Sequence, residues 1–268
     1  MNTLILAAGL GTRLKPVTDF IPKALFPVNG KPLLQHIIEK VVSSDSEKPH
    51  IVVNAFHHAE QIHNFVNITR HAWHATLSVS DERPELLDTG GAVRRAMSLF
   101  HVNGILSAPI LIHNVDILSD VSLPLLRDSH CGNDATLLVS QRKTSRYLIF
   151  TNTMQLAGWI NLSTGEVKSP HADVKLLTPE SFSKDTYATA DGRYTLYAFS
   201  GIHIISPNLC CEMEKCGNRF SIIDFYLDHC ASYRICGHCQ PLANIIDIGK
   251  MDVVGNMPDI VSKITNYG

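Results

Sequence analysis

An α/β protein, with helices packed on a mixed, mostly parallel sheet, is the fold this sequence predicts, on three observations. Short apolar runs without polar alternation, at residues 4–6, 51–53 and 109–113, read as strands covered on both faces. Between them apolar residues recur at three-and-four spacing, as on helices that cover such a sheet. The first run ends in Ala7, Ala8 and Gly9, with Gly11 beyond, so a glycine turn follows the first strand.

At 268 residues the chain is long enough for one large α/β domain with a real core, and a single domain over 1–268 is expected. After the first strand and turn, Leu34, Ile37, Ile38, Val41 and Val42 mark a core-facing helix with Pro32 in its first turn. Residues 51–53 give the second strand, Ala59, Ile62, Phe65 and Val66 the second helix, and 77–80 the third strand. Gly90 and Gly91 then precede a helix with Ala92, Val93, Ala96, Met97 and Phe100 on one face. The strand at 109–113 delivers Asp116 at its carboxyl end, and Asp120 reads as the cap of a helix beginning at Val121. Residues 135–140 are strand. Residues 142–195 lose regularity around two strand-like runs, 147–150 and 156–160, and read as a lid or insert over the site rather than a second domain. Residues 196–205 form a strand interrupted by Gly201, a mark of a bulge or close backbone approach. Ile222, Ile223, Phe225 and Tyr226 open a helix, residues 245–249 end a strand with Asp247, and Val254, Met257, Ile260, Val261 and Ile264 mark a closing helix.

The formal net charge is −2 and nothing basic is clustered on the scale a nucleic-acid backbone needs, so nucleic acid is not an expected partner. No stretch is long and apolar enough to span a membrane, and the amino-terminal run is too short and lacks a signal peptide's basic flank. Cytoplasm is the expected location, and the oligomeric state stays open. His57, His58, His63, His71 and His74 lack a tight ligand spacing and read as solvated. Cys236 and Cys239 form a C-x-x-C that could hold zinc with Cys211, Cys216 or Cys230. No second such pair exists, so unpaired thiols between Cys210 and Cys239 are expected.

The chemistry concentrates at the first turn. Gly9 and Gly11 allow a backbone that gathers several N–H groups around one anion. A dinucleotide fingerprint needs a third glycine where Leu14 stands, and a P-loop needs a Gly-Lys-Ser/Thr that is missing. A glycine turn without a ligand is the bland alternative. Against it stand Arg13, just past the turn, and Lys23, ten residues on, beside chain stiffened by Pro16, Pro22 and Pro27. Two fixed cations over a backbone cradle suit a polyphosphate. Asp116 suits Mg²⁺, which takes one or two carboxylates and completes its shell with phosphate and water. The Gly90 and Gly91 pair could let backbone read the edge of a flat ring, or be a flexible helix entry.

Residues 6–32, L-A-A-G-L-G-T-R-L-K-P-V-T-D-F-I-P-K-A-L-F-P-V-N-G-K-P, resemble the signature of the sugar-1-phosphate nucleotidyltransferases nearly position for position. The later segments D-T-G-G-A-V, F-S-G-I and I-D-I-G extend the likeness. The resemblance implies a Rossmann-like three-layer α/β/α nucleotidyltransferase fold and a Mg-dependent transfer of NMP from an NTP to a sugar 1-phosphate. It implies that Ala7, Ala8, Gly9, Leu10, Gly11, Thr12 and Arg13 bind the nucleotide, Gly9 to Arg13 wrapping the triphosphate, and that Lys23 neutralises the α-phosphate and the attacking sugar phosphate. Gly90 and Gly91 would contact the base, Asn114, Gly201 and the insert over 142–195 the sugar, and Asp116 and Asp247 the metal. UTP and a cell-wall recycling sugar are the favoured substrates; relatives acting on mannose or heptose phosphates use GTP. Two departures stand out: Val115 replaces the usual glycine before the aspartate, and G-W-I-N stands near where a Glu-Lys-Pro segment is usual, leaving Trp159 as sugar platform or core aromatic. A catalytically silent nucleotide-sugar binder and a nicotinamide oxidoreductase are the alternatives of other classes, the second weakened by Leu14.

Overall fold

The computed structural model describes residues 1–249, so the expected closing helix at 254–264 lies outside the described residues. The chain runs through β1 (Asn2–Leu6), a hairpin of β2 (Pro27–Val28) and β3 (Lys31–Pro32), α1 (Leu33–Ser43), β4 (His50–Ala55), α2 (Ala59–Thr69), β5 (Thr76–Asp81) and α3 (Asp88–Met97). It continues through β6 (Ile110–Asn114), β7 (Ile117–Ser119), α4 (Leu123–Ser129), β8 (Ala135–Ser140), β9 (Arg146–Thr151), β10 (Leu156–Asn161) and β11 (Val167–Lys168). The long β12 (Tyr194–Ile205) leads to α5 (Pro207–Cys210), α6 (Ile222–His229), β13 (Ile235–Cys239) and β14 (Ile245–Asp247).

The centre of the sheet is mixed and mostly parallel. β1 pairs in parallel with β4 and β6, β4 with β5, and β8 with β13. β12 enters antiparallel between β6 and β8. Successive side chains of a strand point to opposite faces. Ile5, Ile51, Val53 and Leu111 therefore meet Leu34, Ile37, Ile62 and Leu126 from α1, α2 and α4. Leu4, Val52, Ile110 and Ile112 meet Val93, Ala96 and Phe225 from α3 and α6. Burial on both faces is why these strands read as unbroken apolar runs, and the result is three layers, α/β/α.

Residues 142–195 are more regular than their composition suggests. β9 pairs antiparallel with the first half of β12, β10 with β9 and β11 with β10, so the segment widens the sheet. Tyr147, Ile149, Ile160, Val174, Phe182 and Leu196 form a small core of their own on one face of that extension. Asp120 is not a helix cap: Ser122 caps α4 by accepting the Leu125 N–H, while Asp120 accepts from the backbone and side chain of Asn244. His57 and His63 are half-buried with partners, Thr18 O at 3.0 Å and Asp81 at 3.1 Å, rather than solvated. Cys236 and Cys239 lie on β13, where residues three apart face opposite sides, so the C-x-x-C is not a chelating pair.

Candidate active site

β1 feeds an exposed loop over residues 9–13, and the loop is held from below. Asn54, the last-but-one residue of β4, accepts the N–H groups of Ala7 and Ala8 on its Oδ1 and donates from Nδ2 to Glu82 at 2.6 Å. Glu82 in turn accepts the Leu87 N–H at 3.1 Å, is 2 % exposed, and burial raises its carboxyl above the ordinary carboxylate range. Ala7 and Ala8 thus form cleft wall with their N–H groups already taken by Asn54. The backbone N–H groups of residues 9–13 make no hydrogen bond among the described residues. Gly11 has φ +63°, and a Cβ there would sit 2.7 Å from Thr18 Cγ2, so only glycine fits this turn. Thr18 Oγ1 donates to the Gly11 carbonyl at 2.8 Å and fixes it.

Lys23 stands at the start of a short 3₁₀ turn after Pro22, is 8 % exposed, and pairs with the Asp116 carboxylate. Asp116 lies just past β6, where the Val115 N–H donates to Leu6 O at 3.1 Å and ties the tips of β6 and β1 together. Val115 keeps a negative φ and is buried, so loss of the usual glycine leaves the turn intact. The Asp116 carbonyl accepts the Ile248 N–H at 2.9 Å, which brings the end of β14 to the same place. A Cβ added at Gly249 would lie 2.7 Å from Lys23 Nζ, 2.9 Å from Asp247 Oδ1 and 3.2 Å from an Arg13 guanidinium nitrogen. Arg13, Lys23, Asp116 and Asp247 therefore converge, from three separate parts of the chain.

Ala7, Ala8, Gly9, Lys23, Asn114 and Asp116 line a cleft of about 230 Å³ at the carboxyl ends of β1 and β6, with Glu82, Asp88 and Thr89 opposite. Open α/β sheets bind ligands beyond these strand ends. Asn114 and Gly201 meet there: Gly201 has φ +74° at a register shift in β12, and a Cβ on it would fall 2.7 Å from Asn114 Nδ2. Gly90 and Gly91 are not brought to the cleft. They lie inside α3, both N–H groups donate to Phe220 O, and Cβ atoms on them would meet the Phe220 ring at 2.3 Å and Asn218 O at 2.2 Å. Their smallness serves close packing of residues 218–220 on α3, so the expected base contact is corrected.

Sequence reasoning missed Asn54 and Glu82. The available signal was a single amide inside an otherwise apolar strand, which burial at 3 % exposure makes costly unless it is hydrogen-bonded. Behind the cleft, burial pushes His113 on β6 down to about 4 and His203 on β12 down to about 3. Among the described residues His113 Nε2 and both ring nitrogens of His203 have no hydrogen-bond partner. Lys40 of α1 donates to the carbonyls of Ser119 and Val121, and burial lowers it to about 8.

An open amide loop, two cations and two carboxylates at the carboxyl edge of a parallel sheet define a phosphate-handling α/β protein. The family model described as nucleotidyl transferase matches residues 2–147, and the chain belongs to that family. It is similar to N-acetylmuramate alpha-1-phosphate uridylyltransferase of Caulobacter vibrioides, at 26% identity over 238 residues, 87% of this chain and 86% of that protein. It is similar to the mannose-1-phosphate guanylyltransferase catalytic subunit beta of Drosophila melanogaster at 29% identity, covering 54% of this chain and 39% of that one. Among solved structures, a putative glucose-1-phosphate thymidylyltransferase from Bacillus anthracis in complex with a sucrose superposes with TM-score 0.73 and 14% identity, covering 100% of this chain and 97% of that one. These likenesses carry the three-layer fold. Among the described residues no helix is long and apolar enough to cross a membrane.

Proposed function

We propose that the protein transfers the nucleotidyl group of an NTP, UTP before GTP, to a sugar 1-phosphate, giving a nucleotide sugar and pyrophosphate. The observation that supports this reading most is the convergence of Arg13, Lys23, Asp116 and Asp247 beside a loop whose N–H groups have no partner among the described residues. A phosphomonoester has its second pKa near ~6, so the attacking oxygen is already anionic at neutral pH and no general base is required. What the site must supply is charge and position. In this reading Lys23 neutralises the α-phosphate and the incoming sugar phosphate, and Arg13 with the N–H groups of residues 9–13 holds the departing pyrophosphate. Asp116 and Asp247 fit Mg²⁺, an ion that takes one or two carboxylates and fills its remaining positions with phosphate and water. Bound there, it would supply positive charge to the phosphate oxygens. Asn54 and Glu82 position the loop without touching the reacting atoms.

The preference for UTP rests on likeness to the uridylyltransferase that spans 87% of this chain, against 54% for the guanylyltransferase. The test is a pyrophosphate-release screen of four NTPs against sugar 1-phosphates, with N-acetylmuramate, mannose and heptose phosphates included. Release from UTP with N-acetylmuramate 1-phosphate is expected. A higher kcat/KM for GTP with mannose 1-phosphate would reverse the substrate choice, and NTP binding without pyrophosphate release would replace the enzyme by a silent binder.

A further inference from the structure

A second and larger cavity, about 540 Å³, opens on the sheet extension. Its chemistry follows from strand register. On β9 and β10, Tyr147, Ile149 and Ile160 turn into the small core, so the alternate residues Arg146, Leu148, Trp159 and Asn161 turn to the other face. Pairing sets Leu148 opposite Trp159 and Arg146 opposite Asn161, and Lys168 of β11 pairs with Trp159 and carries its ammonium 5.5 Å from the ring centre. A half-buried indole beside an amide and cations is a surface that suits a polyhydroxylated ring.

The cavity adjoins the catalytic cleft. Ser221 and Ile223 line it, and the Ile222 N–H between them donates to Thr89 Oγ1 at 3.0 Å, while Thr89 lines the cleft. Phe199 lines it too, two residues before Gly201, which packs on Asn114 in the cleft. At the rise of a strand that is a step of about 7 Å. A ligand whose phosphate meets Lys23 and whose ring lies along Asn114 and Gly201 would present its far substituents to Arg142.

Arg142 is the group without an internal explanation. One of its nitrogens donates to Phe199 O at 3.1 Å, which pins the guanidinium to the wall. Among the described residues its side chain makes no other hydrogen bond and no ion pair, and Arg146 makes no ion pair either. Asp224, by contrast, is paired with Lys168 at 3.0 Å. A planar fork of donors held in place is built for a carboxylate.

We propose that the acceptor sugar 1-phosphate carries a carboxylate substituent and that Arg142 selects it; the proposal rests on the transferase reading above. Two acceptors differing only in the 3-O-lactyl ether that bears the carboxylate, N-acetylmuramic acid 1-phosphate and N-acetylglucosamine 1-phosphate, are compared by kcat/KM with UTP for wild type, Arg142→Leu and Arg142→Lys. The expected ratio is about tenfold or more in favour of the acid, carried mainly by KM, falling to near one in Arg142→Leu and lying between in Arg142→Lys. A wild-type ratio near one, or one that Arg142→Leu preserves, overturns the proposal and leaves the transferase reading standing. If neither acceptor turns over with any NTP, the wider screen of sugar 1-phosphates judges the transferase reading and calorimetric binding of the two acceptors decides on Arg142. Tighter binding of the acid that Arg142→Leu abolishes supports the carboxylate site, and equal binding refutes it.

Discussion

Replacing Asn54 by leucine keeps the side chain's branching and heavy-atom count and removes three hydrogen bonds at once: those accepted from the Ala7 and Ala8 N–H groups and the one donated to Glu82. Two backbone donors and one carboxylate oxygen are left without partners in a region where Asn54 is 3 % and Glu82 2 % exposed. Each buried group stranded in this way costs about 1–3 kcal/mol. The cleft can lend water to part of the loss, so about 3 kcal/mol is expected, which at about 2–4 °C per kcal/mol lowers Tm by roughly 6–12 °C. The penalty has a pH signature. Burial already raises Glu82 above its ordinary pKa, and losing the Asn54 donor raises it further. A carboxyl whose folded pKa lies above its unfolded one binds more protons when folded, so it relieves its own cost as pH falls. The difference between Asn54→Leu and wild type should therefore be smaller at pH 5 than at pH 8 in urea unfolding, and KM for the NTP should rise roughly tenfold as residues 9–13 lose their support. A destabilisation under about 0.5 kcal/mol with unchanged KM would refute the idea that this pair braces the loop.

Other outcomes follow from the same structure. His113 and His203 are neutral when folded, at about 4 and about 3, so their contribution is present above the ordinary histidine pKa and is lost as pH falls through the window from there to those values. At pH 5 the loss is about 2 kcal/mol each, measurable as a drop in urea midpoint between pH 7.5 and pH 5; a flat profile would contradict it. Gly91→Ala drives a Cβ to 2.2 Å from Asn218 O and should cost about 1–3 kcal/mol in unfolding free energy; a stability equal to wild type would show that residues 218–220 yield freely. Asp247→Asn should raise the Mg²⁺ concentration needed for half-maximal turnover while leaving Tm within a few degrees; an unchanged Mg²⁺ titration would remove Asp247 from the metal site.

What the sequence made legible was local. Apolar runs at 4–6, 51–53 and 109–113 became β1, β4 and β6 because both faces of these strands are buried, which writes itself as unbroken hydrophobicity. Gly9, Gly11, Arg13 and Lys23 were readable because turn and cations lie within one short stretch. What was hidden depended on partners distant in sequence. Gly90 and Gly91 resemble a ligand-facing turn until residues 218–220 are seen against them. Asp120 resembles a helix cap until Asn244 arrives, 124 residues later, to claim it. Asn54 looked like a polar interruption in a strand, and its purpose appears only with Glu82 on the neighbouring β5 side and Ala7 on β1. Within residues 142–195 the runs at 147–150 and 156–160 were legible, because Tyr147 and Ile149 face one core and Leu148, Phe150 and Leu156 another; what was hidden was their place in the sheet, which depends on the first half of β12, distant in sequence.

The most direct measurement is single-turnover transfer by wild type and Lys23→Ala with α-labelled UTP, Mg²⁺ and N-acetylmuramate 1-phosphate, with Tm recorded on the same samples. Lys23 is 8 % exposed and paired with Asp116 at the point where Arg13 and Asp247 also arrive. If it neutralises the phosphates as they react, its removal lowers the rate of transfer by about a hundredfold or more, as loss of a fixed charge at the transition state does, while Tm stays within several degrees of wild type. A rate within a few fold of wild type would place the chemistry elsewhere and contradict the account.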